Sequence, residues 1–172
     1  MAAPSRSRSR KAKPPRAVNA PGPPPLRPFG LVLHHDGSWT HEGVPLRNRK
    51  LRAAFDRSVR YLADEKKYVV QLGRFRGQIE VEEAAFFVRE FDAESAALRL
   101  SDGSTEALAV STLRVSERDG ALLCDVKLEL AAAGLPARFS HAAQAELLHA
   151  VEDTSAGPRL RLAGRLHAIP EI

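Results

Sequence analysis

Short apolar runs separated by glycine- and aspartate-containing turns recur along most of the chain. Leu31-Val32-Leu33 leads into His34-His35 and then Asp36-Gly37. An Asp-Gly pair between strand-like segments suits a tight hairpin, because glycine takes positive φ at no steric cost. Ser38, Trp39, Thr40 and His41 have the character of the returning strand. A second turn falls at Glu42-Gly43, and Pro45 bars an immediate helix before it. Asn48 is then placed to cap a helix whose apolar positions are Leu51, Phe55, Val59 and Leu62. Its opposite face carries Arg47, Arg49, Lys50, Arg52, Arg57 and Arg60. Tyr68–Leu72 reads as a strand, Gly73–Gly77 as a loop or bulged turn, and Gln78–Glu82 alternates at period two, as a half-buried strand does. Ala85–Val88 and Phe91 form a more buried strand.

The second half repeats this vocabulary. Ala97–Leu100 precedes a hairpin signal at Ser101–Ser104, and Leu108–Val110 and Leu113–Val115 read as strands before an Asp119-Gly120 turn. Cys124, Val126, Leu128 and Leu130 alternate with Asp125, Lys127 and Glu129, which predicts a one-sided strand with Cys124 inward and inert. Ser140 caps a second helix over 141–151, and Leu160–Leu166 makes a final strand in which Gly164 marks a bulge or a close approach. No solenoid-like repeat is visible. The expectation is an α+β fold of mostly antiparallel strands, in two small β-rich subdomains over 29–91 and 92–172, each with one helix.

The order Asp36-Gly37-Ser38-Trp39, Glu42-Gly43, Pro45, Leu51 and Phe55 resembles a family of small bacterial proteins, domain of unknown function 1285. Its members share an aspartate-glycine-threonine-tryptophan hairpin, a glycine-x-proline turn and an arginine-rich helix, followed by a β-rich remainder. The likeness extends from about Gly30 to Ala168, and includes Ile79–Glu82, Phe86 and the stretch around Leu135–Arg138. It implies two β-rich subdomains with short helices, and it brings no established biochemical activity. Where the family carries a threonine-proline-valine-glutamate-lysine segment, this chain has Gln71–Gly77, so a ligand role for that segment does not carry over.

Charge divides the chain differently. Residues 1–28 hold seven Lys or Arg, no acid and eight of the twelve prolines, and those seven cations exceed the whole-chain charge of +5. Such a segment buries too little apolar surface to offset its ordering entropy, and is expected to be a disordered basic tail. It is a solubilising extension or a non-specific contact to the phosphates of nucleic acid or anionic lipid. The chain has room for one ordinary domain or two small ones. Cys124 is the single cysteine, which excludes an internal disulfide and a multi-thiolate zinc site and fits a reducing cytoplasm. No apolar run approaches the roughly 18 residues of a spanning helix, and no signal-peptide core is present.

Candidate chemistry is sparse. His34 or His35 could meet His41 and Glu42 across the hairpin as metal ligands, although adjacent strand residues face opposite ways and exposed histidines are the simpler account. Glu146 and His149 on one helix lack the repeated motif that a di-metal bundle needs. There is no phosphate loop of the P-loop type, no nucleophile elbow and no zincin motif. Arg74 and Arg76 flank Phe75 between two glycines, either as a small anion or base-stacking site or as a solvated turn. Trp39 is either core beside Phe55 and Val59 or the wall of a ligand groove. The leading expectation is a non-enzymatic cytoplasmic domain that binds a small ligand or protein partner without a cofactor, with Trp39, Arg52, Arg74 and Arg76 as contacts. Two alternatives stay open: nucleic-acid association through the tail and the basic helix face, and an enzyme of unrecognised type.

Overall fold

The structure is a computed structural model and describes residues 26–170. The expected disordered tail lies outside the described residues except at its end, where Arg27 and Pro28 already pair in a sheet. Six strands form the first sheet: β1 (Arg27–Leu33), β2 (Trp39–His41), β3 (Val44–Pro45), β4 (Val59–Leu62), β5 (Lys67–Leu72) and β6 (Phe75–Val81). Helix α1 (Arg49–Ser58) stands between β3 and β4. The strand order is β3-β2-β1-β6-β5-β4, with every pair antiparallel except β1 and β6.

A second six-stranded sheet follows: β7 (Phe86–Asp92), β8 (Ala97–Leu100), β9 (Thr105–Ala107), β10 (Arg114–Val115), β11 (Leu122–Val126) and β12 (Leu135–Phe139). Its order, β9-β8-β7-β12-β11-β10, is that of the first sheet shifted by six strands. Each sheet is therefore two three-stranded meanders joined side by side through a parallel seam, β1 to β6 and β7 to β12. A parallel pair needs a crossover, and here the rest of each sheet serves as one. Helix α2 (His141–His149) lies against β7 and β12, and the meander β13 (Val151–Thr154), β14 (Gly157–Leu162) and β15 (Arg165–Ala168) closes the chain as a third sheet.

Local chemistry accounts for much of this. Asn48 caps α1, its side chain accepting from Leu51 N at 3.1 Å, and Ser140 caps α2 through Ala143 N. The β1–β2 hairpin turns at Gly37, whose φ is +80°. At the β1–β6 seam, a Cβ on Gly77 would lie 2.2 Å from the Phe29 ring, so only glycine lets the ring lie flat on β6. One buried apolar cluster runs through all three sheets, from Leu31 and Trp39 through Phe86 and Phe139 to Leu160 and Leu162.

The α+β fold of mostly antiparallel strands with two helices matches the expectation, and several boundaries differ. The first helix stops at Ser58, and Val59 and Leu62 belong to β4, paired with Val70 and Lys67. Their spacing fits a helix, but Val59 and Tyr61 also alternate, and a strand partner decides between the two periods. The Gly73–Gly77 stretch is a two-residue turn leading into β6. β11 ends at Val126, because Lys127 turns the chain with φ +54°; Leu128 and Leu130 are exposed. Val110–Thr112 is a 3-10 turn, and the final strand is a hairpin with Gly164 in its turn. The chain changes sheet between Val81 and Phe86, so Phe86–Asp92 pairs entirely within the second sheet.

Candidate functional site

Trp39 occupies the centre of the first repeat at 1% exposure, edge-on to the Phe55 ring with centroids 5.5 Å apart. Its indole N–H donates to Asp56 Oδ1 at 2.9 Å, and Arg89 Nη2 donates to Asp56 Oδ2 at 2.9 Å. Asp56 belongs to α1 and Arg89 to β7, so one carboxylate ties the core tryptophan to the second sheet. Arg89 also lies 5.3 Å from the centroid of the Phe87 ring. On that ring rests the hairpin tip: a Cβ on Gly37 would approach Phe87 to 3.3 Å.

Above this link is a polar pocket of about 290 Å³ where the two repeats meet. Arg49 and Arg52, three residues apart on α1 and hence on one face, line one side, and Arg89 lines another. Asp36 and Ser38 of the hairpin complete the wall. Burial opposes ionisation of Asp36, but hydrogen bonds from Ser38 outweigh it and hold the carboxyl below its ordinary range. Arg89 is committed to Asp56, whereas Arg49 and Arg52 form no ion pair among the described residues. The Nε of Arg52 is buried without a hydrogen-bond partner. The same holds for Arg76 Nε, outside the pocket; what the pocket offers an oxyanion is the guanidinium groups that line it.

The expected contact residues separate. Arg52 lines the pocket, while Trp39 lies beneath it as core and reaches it only through Asp56. Arg74 and Arg76 are not among its lining residues: Arg74 stacks over the exposed Phe75 ring at 5.1 Å, and Arg76 pairs loosely with Glu65 at 3.9 Å. Arg49, Asp56 and Arg89 escaped selection at the sequence level. Arg89 had one available signal, a cation directly after the apolar run Phe86-Phe87-Val88.

The histidines also separate. His41 pairs in register with Leu31, away from the hairpin end that holds His34 and His35. His34 Nδ1 and His35 Nδ1 lie 2.7 and 2.9 Å from the two oxygens of Glu82, and the His35 backbone N–H donates to the same carboxylate. These bonds, His35 first, hold the Glu82 carboxyl down at about 2. No group of three or more metal-ligating side chains occurs among the described residues. Ser104 and Lys127 come within 2.9 Å, the composition of a serine–lysine nucleophile pair. Burial alone would favour neutral Lys127, but Glu106 and Asp102 raise its pKa above the ordinary value. An ammonium held in that way cannot accept the serine proton, and the pair is a structural clamp. The Cys124 thiol, fully buried, is pushed up to about 12 and is no nucleophile.

No protein-family model matches the chain, and no curated protein does. Solved structures do. A DUF1285 family protein from Silicibacter pomeroyi DSS-3 superposes with a TM-score of 0.60 at 17% identity, covering 92% of this chain and 89% of its own. A DUF1285 family protein from Shewanella baltica OS155 gives a TM-score of 0.48 at 14% identity, covering 71% and 91%. At such identity the first likeness shows the fold, and that fold agrees with the resemblance read from the hairpin and arginine-rich helix. Among the described residues no helix is long and apolar enough to cross a membrane.

Proposed function

We propose that this chain is a bacterial, cytoplasmic protein of the uncharacterised DUF1285 kind that binds a small anionic ligand without transforming it. The observation that carries this reading is the pocket between the repeats, where Arg49, Arg52 and Arg89 gather and where Arg49 and Arg52 form no ion pair among the described residues. Guanidinium groups recognise carboxylate and phosphate oxygens by paired N–H donors, and three of them suit a ligand with more than one anionic oxygen. Asp36, ionised and on the opposite wall, is placed to accept from a hydroxyl of the same ligand. Of the carboxylates in the lining, Asp56 is engaged by Trp39 and Arg89 and Asp36 by Ser38, and no histidine or cysteine lines the pocket with them, which supports binding over catalysis.

The test is a thermal-shift titration of the full chain with inorganic phosphate and citrate. A ligand that binds only the folded state adds about 2.7 kcal/mol at a hundredfold excess over Kd, and each kcal/mol raises Tm by roughly 2–4 °C at this chain length. The shift should shrink severalfold in Arg52→Gln and Arg89→Gln. Stabilisation of equal size in both variants would refute the assignment.

A second reading has its own support. Arg47, Arg49, Lys50, Arg57 and Arg60 are all exposed on or beside α1, and the first turn of the helix carries no acid. Nucleic acid bound along that face would lose affinity steeply with salt, and removal of residues 1–25 would weaken binding further and flatten the salt dependence. Salt-insensitive association would eliminate this alternative.

A further inference from the structure

The third sheet carries its last strand the wrong way round. In β15 the order is Arg165-Leu166-His167-Ala168, and cross-strand partners share a face. Arg165 stands opposite Leu162 and His167 opposite Leu160, and both leucines are buried in the core. Arg165, exposed, and His167, half-buried, therefore emerge on the same face as those leucines, while Leu166 faces the other way at 46% exposure.

Both side chains line a cleft of about 690 Å³ between this hairpin and the second sheet. Its floor is apolar, built from Leu108, Val110 and Leu162. Ala96 and Ala163 also line it, both with φ near +50° (55° and 46°). The margins are tied together by the backbone, Ala163 N donating to Ala93 O at 2.9 Å and Leu108 N to Ala96 O at 2.9 Å. Among the described residues, neither Arg165 nor His167 makes a side-chain hydrogen bond or an ion pair. A volume of this size falls in the range of small-molecule sites, and an apolar floor beneath a rim that carries the Arg165 guanidinium and the His167 imidazole defines what fits it.

We propose that this cleft is a second binding site, for amphipathic carboxylates, with an alkyl chain along Leu108, Val110 and Leu162 and the carboxylate at Arg165 and His167. The site is independent of the arginine pocket between the repeats. A polar anion gains nothing from the floor, and a neutral hydrocarbon gains nothing from the rim.

Calorimetric titration of the full chain with butanoate, hexanoate and octanoate tests it. Affinity should rise by up to about fourfold per added methylene, the free energy of burying one such group. Arg165→Gln should weaken octanoate by about tenfold and leave 1-octanol unaffected, and Ser111→Trp, an exposed substitution at the mouth, should abolish both. Affinity independent of chain length, equal binding of octyltrimethylammonium, or octanoate binding that disappears in Arg52→Gln but survives Ser111→Trp would each overturn the proposal.

Discussion

Asp56 is the residue on which the pocket between the repeats depends. Both of its oxygens are used, one by the indole of Trp39 and one by Arg89. Trp39→Phe keeps most of the apolar volume but leaves Asp56 Oδ1 without its donor. The expected cost is about 1–3 kcal/mol, read as a lower midpoint in urea unfolding with an unchanged slope. A neutral result would mean that water replaces the indole freely and that the link to Arg89 is not anchored in the core. Glu82 gives a test in pH. Its carboxyl titrates at about 2 in the folded protein against 4.5 ordinarily, so the stabilisation is complete above the unfolded value and is lost as pH falls from about 4.5 towards 2. Wild type should therefore melt above Glu82→Gln at pH 6, and the gap should close across that window. A gap as wide at pH 2.5 as at pH 6 would show that Glu82 acts through packing.

At the scale of elements, what was legible followed from local chemistry. The Asp36-Gly37 hairpin, the Asn48 and Ser140 caps and the alternation of Gln78–Val81 are each dictated by a few adjacent residues, and each appears where expected. Asn48→Ala should cost about 1 kcal/mol and fray α1, measured as faster amide exchange at Leu51 and Arg52. Protection that is unchanged would place the stability of α1 in its contact with β5 instead. What was not legible depended on partners distant in sequence. Val59–Leu62 fits two periods until β5 pairs with it, and Leu128 and Leu130 read as strand until Lys127 is captured by Asp102 and Glu106 and turns the chain. The site behaves in the same way: Arg52 was visible as one cation on a basic face, but Arg89 joins it from 37 positions later through the sheet topology.

The molecule as a whole is two copies of one six-stranded topology followed by a helix and a meander. The duplication is absent from the residue pattern because each copy fills its crossover differently, with α1 in the first and a single 3-10 turn in the second. That asymmetry makes the pocket. α1 projects Arg49 and Arg52 towards the β7 of the next copy, and the hairpin tip is fixed there by Gly37 on Phe87 and by the bonds from His34 and His35 to Glu82 in the segment that joins the sheets. A ligand held by Arg52 and Arg89 together would bridge the copies, so its binding energy is also energy of association between them.

The most direct test of anion binding in that pocket is to follow the arginine Nε–H resonances of the full chain by proton–nitrogen NMR while inorganic phosphate is added at constant ionic strength. The account predicts that the Arg52 Nε–H signal moves saturably, together with those of Arg49 and Arg89, while Arg74 and Arg76 stay in place. An unmoved Arg52, or shifts led by Arg74 and Arg76, would contradict it.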